Sequence, residues 1–436
     1  MLGQLIADRF TRRLGLIALL GGAWRLFYIQ LEGPFHRVSD EGWYVYEAHQ
    51  LFGPRPWSQL IDPGYPSALH GPLTSILIAP AAWALPGSAA GLRPFMVAIG
   101  MVTVVLLGVF GRQLADSRVG LVTAGLAAVY PGLWIRDGLV ASEAPAALLL
   151  VWLLIVGYRQ LERPTMLRAA AMGAVLGLCV LSRSELLALL AFFILPVLIV
   201  AARRSSMPFG RTAGMLALSL LALSGVLAPW VGYNAGRFER TVLLSNNLGN
   251  TLAGADCPAG FPGSPLVGYD SFLCDASTHL AAARRSHDES VQSAYERQVA
   301  LHFVRRHLAQ IPEVVAQREL WMLGLEQPGW VVDQSVALGQ PTWATWAQAI
   351  GFWMLVPLGF IGAFSARRRS LRVWPLLSLV VDTVVLAALF VGHWRYRVTA
   401  EIALLPLAAV ALDELWRRSD LSDGPVALTS STEEST

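Results

Sequence analysis

The stretch "PFMVAIGMVTVVLLGVFGRQLADSRVGLVTAGLAAVYPGLWIR", Pro94 to Arg136, decides the class of fold. Two apolar runs flank a short polar joint that carries Arg112 and Arg118. Each run approaches the roughly 20 residues a helix needs to cross a bilayer. A short loop bearing arginine between two such runs marks a cytoplasmic turn. The pattern recurs along the chain. Of 436 residues, 55% are hydrophobic and only 14% charged, against roughly a quarter charged in a soluble domain. A soluble globular enzyme is excluded. No lysine occurs, so all 33 basic side chains other than histidine are arginine. The net charge of +3 matters less than where those arginines sit.

The arginine clusters set the topology. They are Arg112 and Arg118; Arg159, Arg163 and Arg168; Arg203, Arg204 and Arg211; Arg367, Arg368, Arg369 and Arg372; and Arg417 and Arg418. Helices fit at about 14–31, 94–111, 119–136, 140–158, 168–182, 184–202, 212–231, 346–366, 373–392 and 397–415. Ten crossings put every cluster and both termini on the cytoplasmic side. The first run follows Arg9, Arg12 and Arg13 like a signal sequence, but it lacks a clean small-x-small cleavage site. It reads as an uncleaved first helix. The segment "GPLTSILIAPAAWALPG", 71–87, is apolar but broken by Pro80 and Pro86. It reads as lying in the outer leaflet; were it to span, the helices would number eleven.

The expectation is therefore an all-α polytopic protein of the inner (plasma) membrane. An N-terminal membrane module covers 1–231 and includes a first extracytoplasmic loop over 32–93. A second extracytoplasmic region follows over 232–345, then C-terminal transmembrane helices over 346–418 and a disordered cytoplasmic tail over 419–436. Cys257 and Cys274 both fall in the second outer region, on the oxidising side, and are expected to form a disulfide. Cys179 lies inside a helix, where it packs.

Ionisable residues inside a bilayer are costly and usually functional or paired. Asp40 and Glu41 stand in "SDEGWY" just beyond the first helix. Asp137 and Glu143 flank the turn in "WIRDGLVASEAPA", and Arg183 with Glu185 breaks "VLSRSELLAL". His393, Arg395, Tyr396 and Arg397 make the turn "GHWRYRVTAE", and Arg25 sits near the outer end of the first helix. The topology places all of these at one membrane face; Asp382 alone lies deep in a span. Taken singly, Arg183 with Glu185 could be a local pair, Arg136 with Asp137 a solvated turn, and Asp382 a helix–helix anchor. Together they suit a substrate with a phosphate to hold and a hydroxyl to activate. Arginine grips phosphate and offsets charge on a leaving group, and a carboxylate accepts the hydroxyl proton.

These segments resemble the bacterial members of glycosyltransferase family 39. Those are relatives of protein O-mannosyltransferases and of the aminoarabinose transferase that modifies lipid A. The resemblance rests on "SDEGWY", "HGPLTSILIAP", "LVASEAPAALLL", "GLCVLSRSELL" and "HWRYRVTAEIALLPLAAVAL", in that order. His70 and Gly71 stand where the family carries lysine and proline, and Thr399 and Ala400 where a proline is usual. The resemblance implies a GT-C-type helical bundle and a polyprenyl-phosphate-linked sugar donor. It also implies transfer to a hydroxyl on a protein, glycan or lipid, by an inverting single displacement at the extracytoplasmic face. It maps the catalytic base onto Asp40 with Glu41 in support, and a positioning acid onto Glu143. It maps lipid-phosphate contacts onto Arg183, Arg395 and Arg397, with His70 and Tyr396 beside them. Histidine is only partly cationic near neutral pH, so His70 is a weaker phosphate ligand than lysine. Arg25, Asp137 and His393 are expected to support the site. Asp40, Glu41 and Glu143 could converge on a divalent cation. The competing reading is a polytopic transporter or lipid flippase. Such proteins usually show repeated halves and a midplane site, and neither is visible here.

Overall fold

The computed structural model describes residues 9–32, 39–85 and 90–422. Among these the chain is helical, with one isolated bridge between Ser58 and Pro66. It begins with α1 (Arg9–Tyr28), followed by α2 (Asp40–Gln50) and α3 (Leu73–Ala84) in the first loop region. Then come α4 (Arg93–Leu114), α5 (Ser117–Val129), α6 (Pro131–Asp137), α7 (Glu143–Glu162) and α8 (Met166–Ser182). Next are α9 (Ser184–Arg204), which opens through a 3-10 turn and a π turn, and α10 (Phe209–Asn234). The second loop region holds α11 (Asn247–Ala255), α12 (Phe272–Ala283), α13 (Glu289–Arg306), α14 (Ile311–Leu323) and α15 (Pro328–Ala337). The chain closes with α16 (Thr342–Arg368), α17 (Trp374–Leu389) and α18 (Val398–Ser422).

Helices occupy all ten stretches expected to span, but fewer are long and apolar enough to do so alone. Among the described residues five qualify: α4, α7, α9, α10 and α16; the bent pair α5–α6 makes a sixth. The others fall short for physical reasons. α8 and α17 have 17 and 16 residues, about 25 Å of helix against a hydrocarbon core of roughly 30 Å. α1 carries four arginines, and α18 carries Glu401, Asp413 and Arg417. In the 71–87 segment the described residues, 71–85, hold the 12-residue α3, about 18 Å long. The tail expected to be disordered from 419 is helical through Ser422, and 423–436 lie outside the described residues.

Pro131 breaks the predicted 119–136 helix, bending it by 57°. Proline has no N–H to give the carbonyl four residues back, and a freed carbonyl inside a membrane needs another donor. Arg25 supplies it. Its guanidinium donates to the Ala127 and Ala128 carbonyls at 3.1 and 2.9 Å. The same side chain pairs with Asp137 at 2.7 Å, and both are buried.

Small residues bring the helices together. A Cβ on Gly173 of α8 would lie 1.9 Å from the Ser219 carbonyl of α10, and one on Gly362 of α16 would lie 1.8 Å from the Leu407 carbonyl of α18. Close backbone approach of this kind is how helices associate in lipid, where the hydrophobic effect between them is weak. α18 is buried without interruption from Val398 to Ala411 and forms the central post. At the end remote from the loop regions, Asp116 caps α5, and Asp116 and Asp413 bind Arg369 and Arg417. Those are arginines from two of the clusters used to orient the chain.

The two loop regions are joined by Glu289 at the start of α13. Its carboxylate accepts from Ser67 Oγ at 2.9 Å, Ala68 N at 2.6 Å and Asn246 Nδ2 at 3.1 Å. A disulfide ties Cys257 to Cys274 across Cα atoms 6.3 Å apart, fixing the end of α11 to α12. Cys179 is buried in α8 as a free thiol.

Replacing Gly173 with Val forces α8 and α10 apart, at an expected cost of about 1–3 kcal/mol. Gly225→Val on α10, where a Cβ meets nothing within 4 Å, is the control. Thermal unfolding in detergent should show a lower midpoint for the first and little change for the second.

Candidate active site

Four breaks in helix deliver the side chains of one cavity. Ser39 caps α2, its Oγ accepting from Gly42 N at 3.3 Å, which places Asp40 in the first turn at the positive end of the helix. The turn after α6 ends at Ser142, and Glu143 opens α7. Arg183 is extended, with φ −145° and ψ 110°, between α8 and α9. Arg395 lies in the single turn Trp394–Arg397 ahead of α18. His393 caps that turn, its Nδ1 accepting from Arg395 N at 3.0 Å. Burial, followed by the nearby Arg395, Arg397 and Arg136, pulls the His393 ring down to about 3, so it stays neutral and able to accept.

The charges then interlock. Arg395 gives Nη1 to Asp40 Oδ2 at 2.6 Å and Nε to Glu143 Oε1 at 2.7 Å. Arg183 gives Nη1 to the same Glu143 oxygen at 3.0 Å and Nε to Glu185 at 2.7 Å. The Arg183 guanidinium lies over the Tyr396 ring, 5.2 Å from its centroid. His70 approaches Asp40 Oδ1 at 3.4 Å and packs against Trp43 and Tyr44. Its neighbour Gly71 lies so close to the end of α8 that a Cβ would sit 2.2 Å from the Leu181 carbonyl. Burial alone would raise the Asp40 carboxyl, but Arg395 and then His70 outweigh it and hold it well below the ordinary carboxylate range.

Asp40 and the two arginines, with Glu143 buried behind them, border a cavity of about 330 Å³. Asp40, Arg183, Glu185 and Arg395 form its charged side, with Tyr396 and His70 beside them. Ser182, Ser184, Ser245, Asn247 and Thr251 add hydroxyls and an amide, and Leu386, Phe390 and Val391 give an apolar wall from the end of α17. The arrangement has a place for an anion, for polyhydroxyl groups and for an apolar chain.

Other expected site residues lie elsewhere. Glu41 turns from the cavity and accepts from Val140 N at 3.1 Å, with Arg93 at 3.5 Å. Arg397 is fully buried; it donates to the Met322 carbonyl and stacks on Phe352 and Trp394. Arg25 and Asp137 brace the α5–α6 break. Asp382 is buried with neither carboxylate oxygen hydrogen-bonded, one turn along α17 from the cavity wall at Leu386. Arg136 is no solvated turn: it is buried and holds Glu401 at 2.7 Å and the Trp394 carbonyl at 2.6 Å. Sequence reasoning missed the polar residues of 245–251 and the Glu289 tie. Only their place in the second loop region pointed to them.

The carboxylates do not fit a divalent cation. Asp40 and Glu143 both face the Arg395 guanidinium, and Glu41 points away. Among the described residues no group of three or more His, Cys, Asp or Glu is gathered to hold a metal ion.

No family model matches the chain, and no curated protein sequence does. Solved structures do. One is the archaeal oligosaccharyltransferase AglB from Archaeoglobus fulgidus, in complex with an inhibitory peptide and a dolichol-phosphate. Its TM-score is 0.53 at 18% identity, over 97% of this chain and 52% of that one. A second is the oligosaccharyltransferase of the same organism tethered to an acceptor peptide containing the NVT sequon. Its TM-score is 0.54 at 16% identity, over 96% of this chain and 51% of that one. A looser superposition, TM-score 0.41 at 14% identity, is to ArnT from Cupriavidus metallidurans bound to undecaprenyl phosphate, over 94% of this chain and 79% of that one. The likeness is one of fold: the chain shares the fold of the Archaeoglobus oligosaccharyltransferases. The chain spans about half the length of the oligosaccharyltransferases it matches.

Arg25 and Asp137 provide a stability test. Arg25→Leu or Asp137→Leu alone leaves a buried charge unpaired, at about 3–5 kcal/mol. The double variant should lose less than the sum of the two, a coupling that a double-mutant cycle of unfolding reads directly.

Proposed function

We propose that this protein is a membrane glycosyltransferase that moves one sugar from a polyprenyl-phosphate donor to a hydroxyl acceptor at the extracytoplasmic face. One observation carries the reading: a base candidate, Asp40, and a phosphate-binding candidate, Arg395, meet within 2.6 Å in a cavity with both polar and apolar walls. The Archaeoglobus oligosaccharyltransferase binds a dolichol-phosphate, and the same lipid-phosphate chemistry suits Arg395, Arg183 and the apolar end of α17. The arginine loops gather at the far end of the bundle, and the disulfide lies in the loop region beside the cavity. Both support an extracytoplasmic site.

The reaction follows from the placement. Arg395 and Arg183 receive the donor phosphate as bidentate partners. The serine, asparagine and threonine side chains receive the sugar hydroxyls. The acceptor oxygen attacks the anomeric carbon while Asp40 takes its proton. The bond from that carbon to the phosphate oxygen breaks, and its electron pair leaves with the polyprenyl phosphate. Glu143 holds both guanidiniums in register throughout. Attack and departure on opposite faces invert the anomeric centre.

Asp40→Asn should lower transfer by about 10²–10⁴-fold, measured with membranes and a polyprenyl-phosphate sugar, while polyprenyl phosphate binding persists. Wild-type turnover in that variant would end the general-base assignment. The pH profile tests the role of Arg395. In the free enzyme Arg395 and His70 hold the Asp40 carboxyl low, so the acid limb of kcat/KM lies at low pH. Once the donor phosphate engages Arg395, Asp40 loses part of that stabilisation, and its value moves up toward the ordinary carboxylate range. The acid limb of kcat, which reports the bound enzyme, should therefore lie at higher pH than that of kcat/KM. Coincident limbs would show that Arg395 stays on Asp40 through turnover.

A further inference from the structure

α13 has two unlike long faces. Glu289, Gln292, Glu296 and Ala300 are buried against the rest of the loop regions. The opposite side forms a groove of about 650 Å³ lined by Arg240, Arg285, Arg297, Arg305, His302 and Tyr295 among others. No aspartate or glutamate lines it, and among the described residues none of the four arginines takes part in an ion pair. A concave site with one sign of charge focuses its field and concentrates counter-charge. Arginines outside ion pairs keep their forked donors available for carboxylate or phosphate.

Shape narrows the ligand. The lining on α13 runs from Ala294 to Arg305, about 16 Å at 1.5 Å per residue, so the charges are strung along a line. Arg285 lies over the Tyr295 ring at 4.3 Å. Val299 and Leu301, 37% and 41% exposed, give apolar patches between the charges, of the kind that contact the flat faces of sugar rings. A bilayer would call for a convex or flat surface, whereas this one is a trough. The buried side of the same helix holds Glu289, which fastens the Ser67–Ala68 segment that leads to His70. Trough and cavity thus share one scaffold.

We propose that the trough binds an extended anionic glycan, bearing carboxylate or phosphate along its length, as a docking subsite for the acceptor. This rests on the glycosyltransferase reading for its purpose, but its binding can be tested without transfer. The full chain, in phosphatidylcholine nanodiscs, is titrated with a defined oligogalacturonate and with a neutral malto-oligosaccharide of equal length. The wild type should bind only the charged oligomer, more weakly as salt rises. Arg297→Gln with Arg305→Gln should weaken that binding about tenfold, for the loss of two solvent-exposed charge pairs. Arg367→Gln with Arg368→Gln, at the far end of the bundle, removes the same charge and should change nothing.

Equal weakening in both double variants would reduce the effect to net charge and overturn the proposal. So would binding of the neutral oligomer as tightly as the charged one. Capture of the detergent-solubilised protein by phosphatidylglycerol vesicles, lost in Arg297→Gln with Arg305→Gln while oligogalacturonate fails to bind, would make the trough a membrane contact and overturn it as well. Polyprenyl phosphate binding, expected to be lost in Arg395→Gln and kept in the trough variant, reports on the glycosyltransferase reading separately.

Discussion

The structure turns on one guanidinium. Arg395 stands between Asp40 and Glu143, at 2.6 and 2.7 Å, and joins the first loop region to the bundle. Glu143 is almost fully buried, and a buried carboxylate without a partner is strongly destabilising. Arg395 and Arg183 together meet that requirement. Each is in turn held by a carboxylate, so no charge in the group stands alone. The condition binds most tightly at Glu143; Asp40 and Arg395, 35% and 44% exposed, form the open edge of the group.

The Arg395 turn is itself firmly held. Arg136 binds the Trp394 carbonyl and rests on Glu401, which also accepts from Tyr130 at 2.9 Å. Arg397 wedges between Phe352 and Trp394 and donates to the Met322 carbonyl. Gly392, at the start of the turn, leaves no room for a Cβ, which would lie 2.0 Å from the Arg318 carbonyl. Arg318 donates to Asp256, beside the disulfide, and to the Ala388 carbonyl at the end of α17. The second loop region therefore braces the residue that carries the site's charge, and the disulfide lies at the base of that brace.

Much of this was legible in the sequence, but unevenly. Arginine-bearing joints and apolar runs identified every helix of the bundle, because bilayer thickness and charge asymmetry act on local sequence. The number of crossings was not legible to the same degree. Pro131 splits one run, and α8 and α17 are short, so length after folding differs from length on paper. The acidic pair shows a second limit. Asp40 and Glu41 are equivalent in the sequence, yet neighbours on a helix point about 100° apart. One faces the cavity and the other the Val140 backbone. Arg395 and Arg397 divide in the same way, one to the cavity and one to an aromatic stack. Sequence gave the cluster; only the helix phase and the turn decided which member of each pair faces inward. Arg25 and Asp137 were rightly marked as costly, but their chemistry is that of a broken helix, where a charged side chain replaces the donor that proline lacks.

A cavity built this way has a consequence for how substrate binding and base strength are related. Asp40 is a poor base while Arg395 holds it, since the guanidinium stabilises the very carboxylate that must take a proton. A lipid phosphate is a stronger bidentate partner for arginine than a single carboxylate oxygen. In the proposed reaction its arrival exchanges one anion for another at Arg395. Glu143, with one oxygen shared by two guanidiniums, keeps both in position through the exchange. In the proposed reaction Asp40 is then released from its strongest cation beside the acceptor hydroxyl whose proton it takes. On that proposal its readiness as a base is tied to the donor being in place.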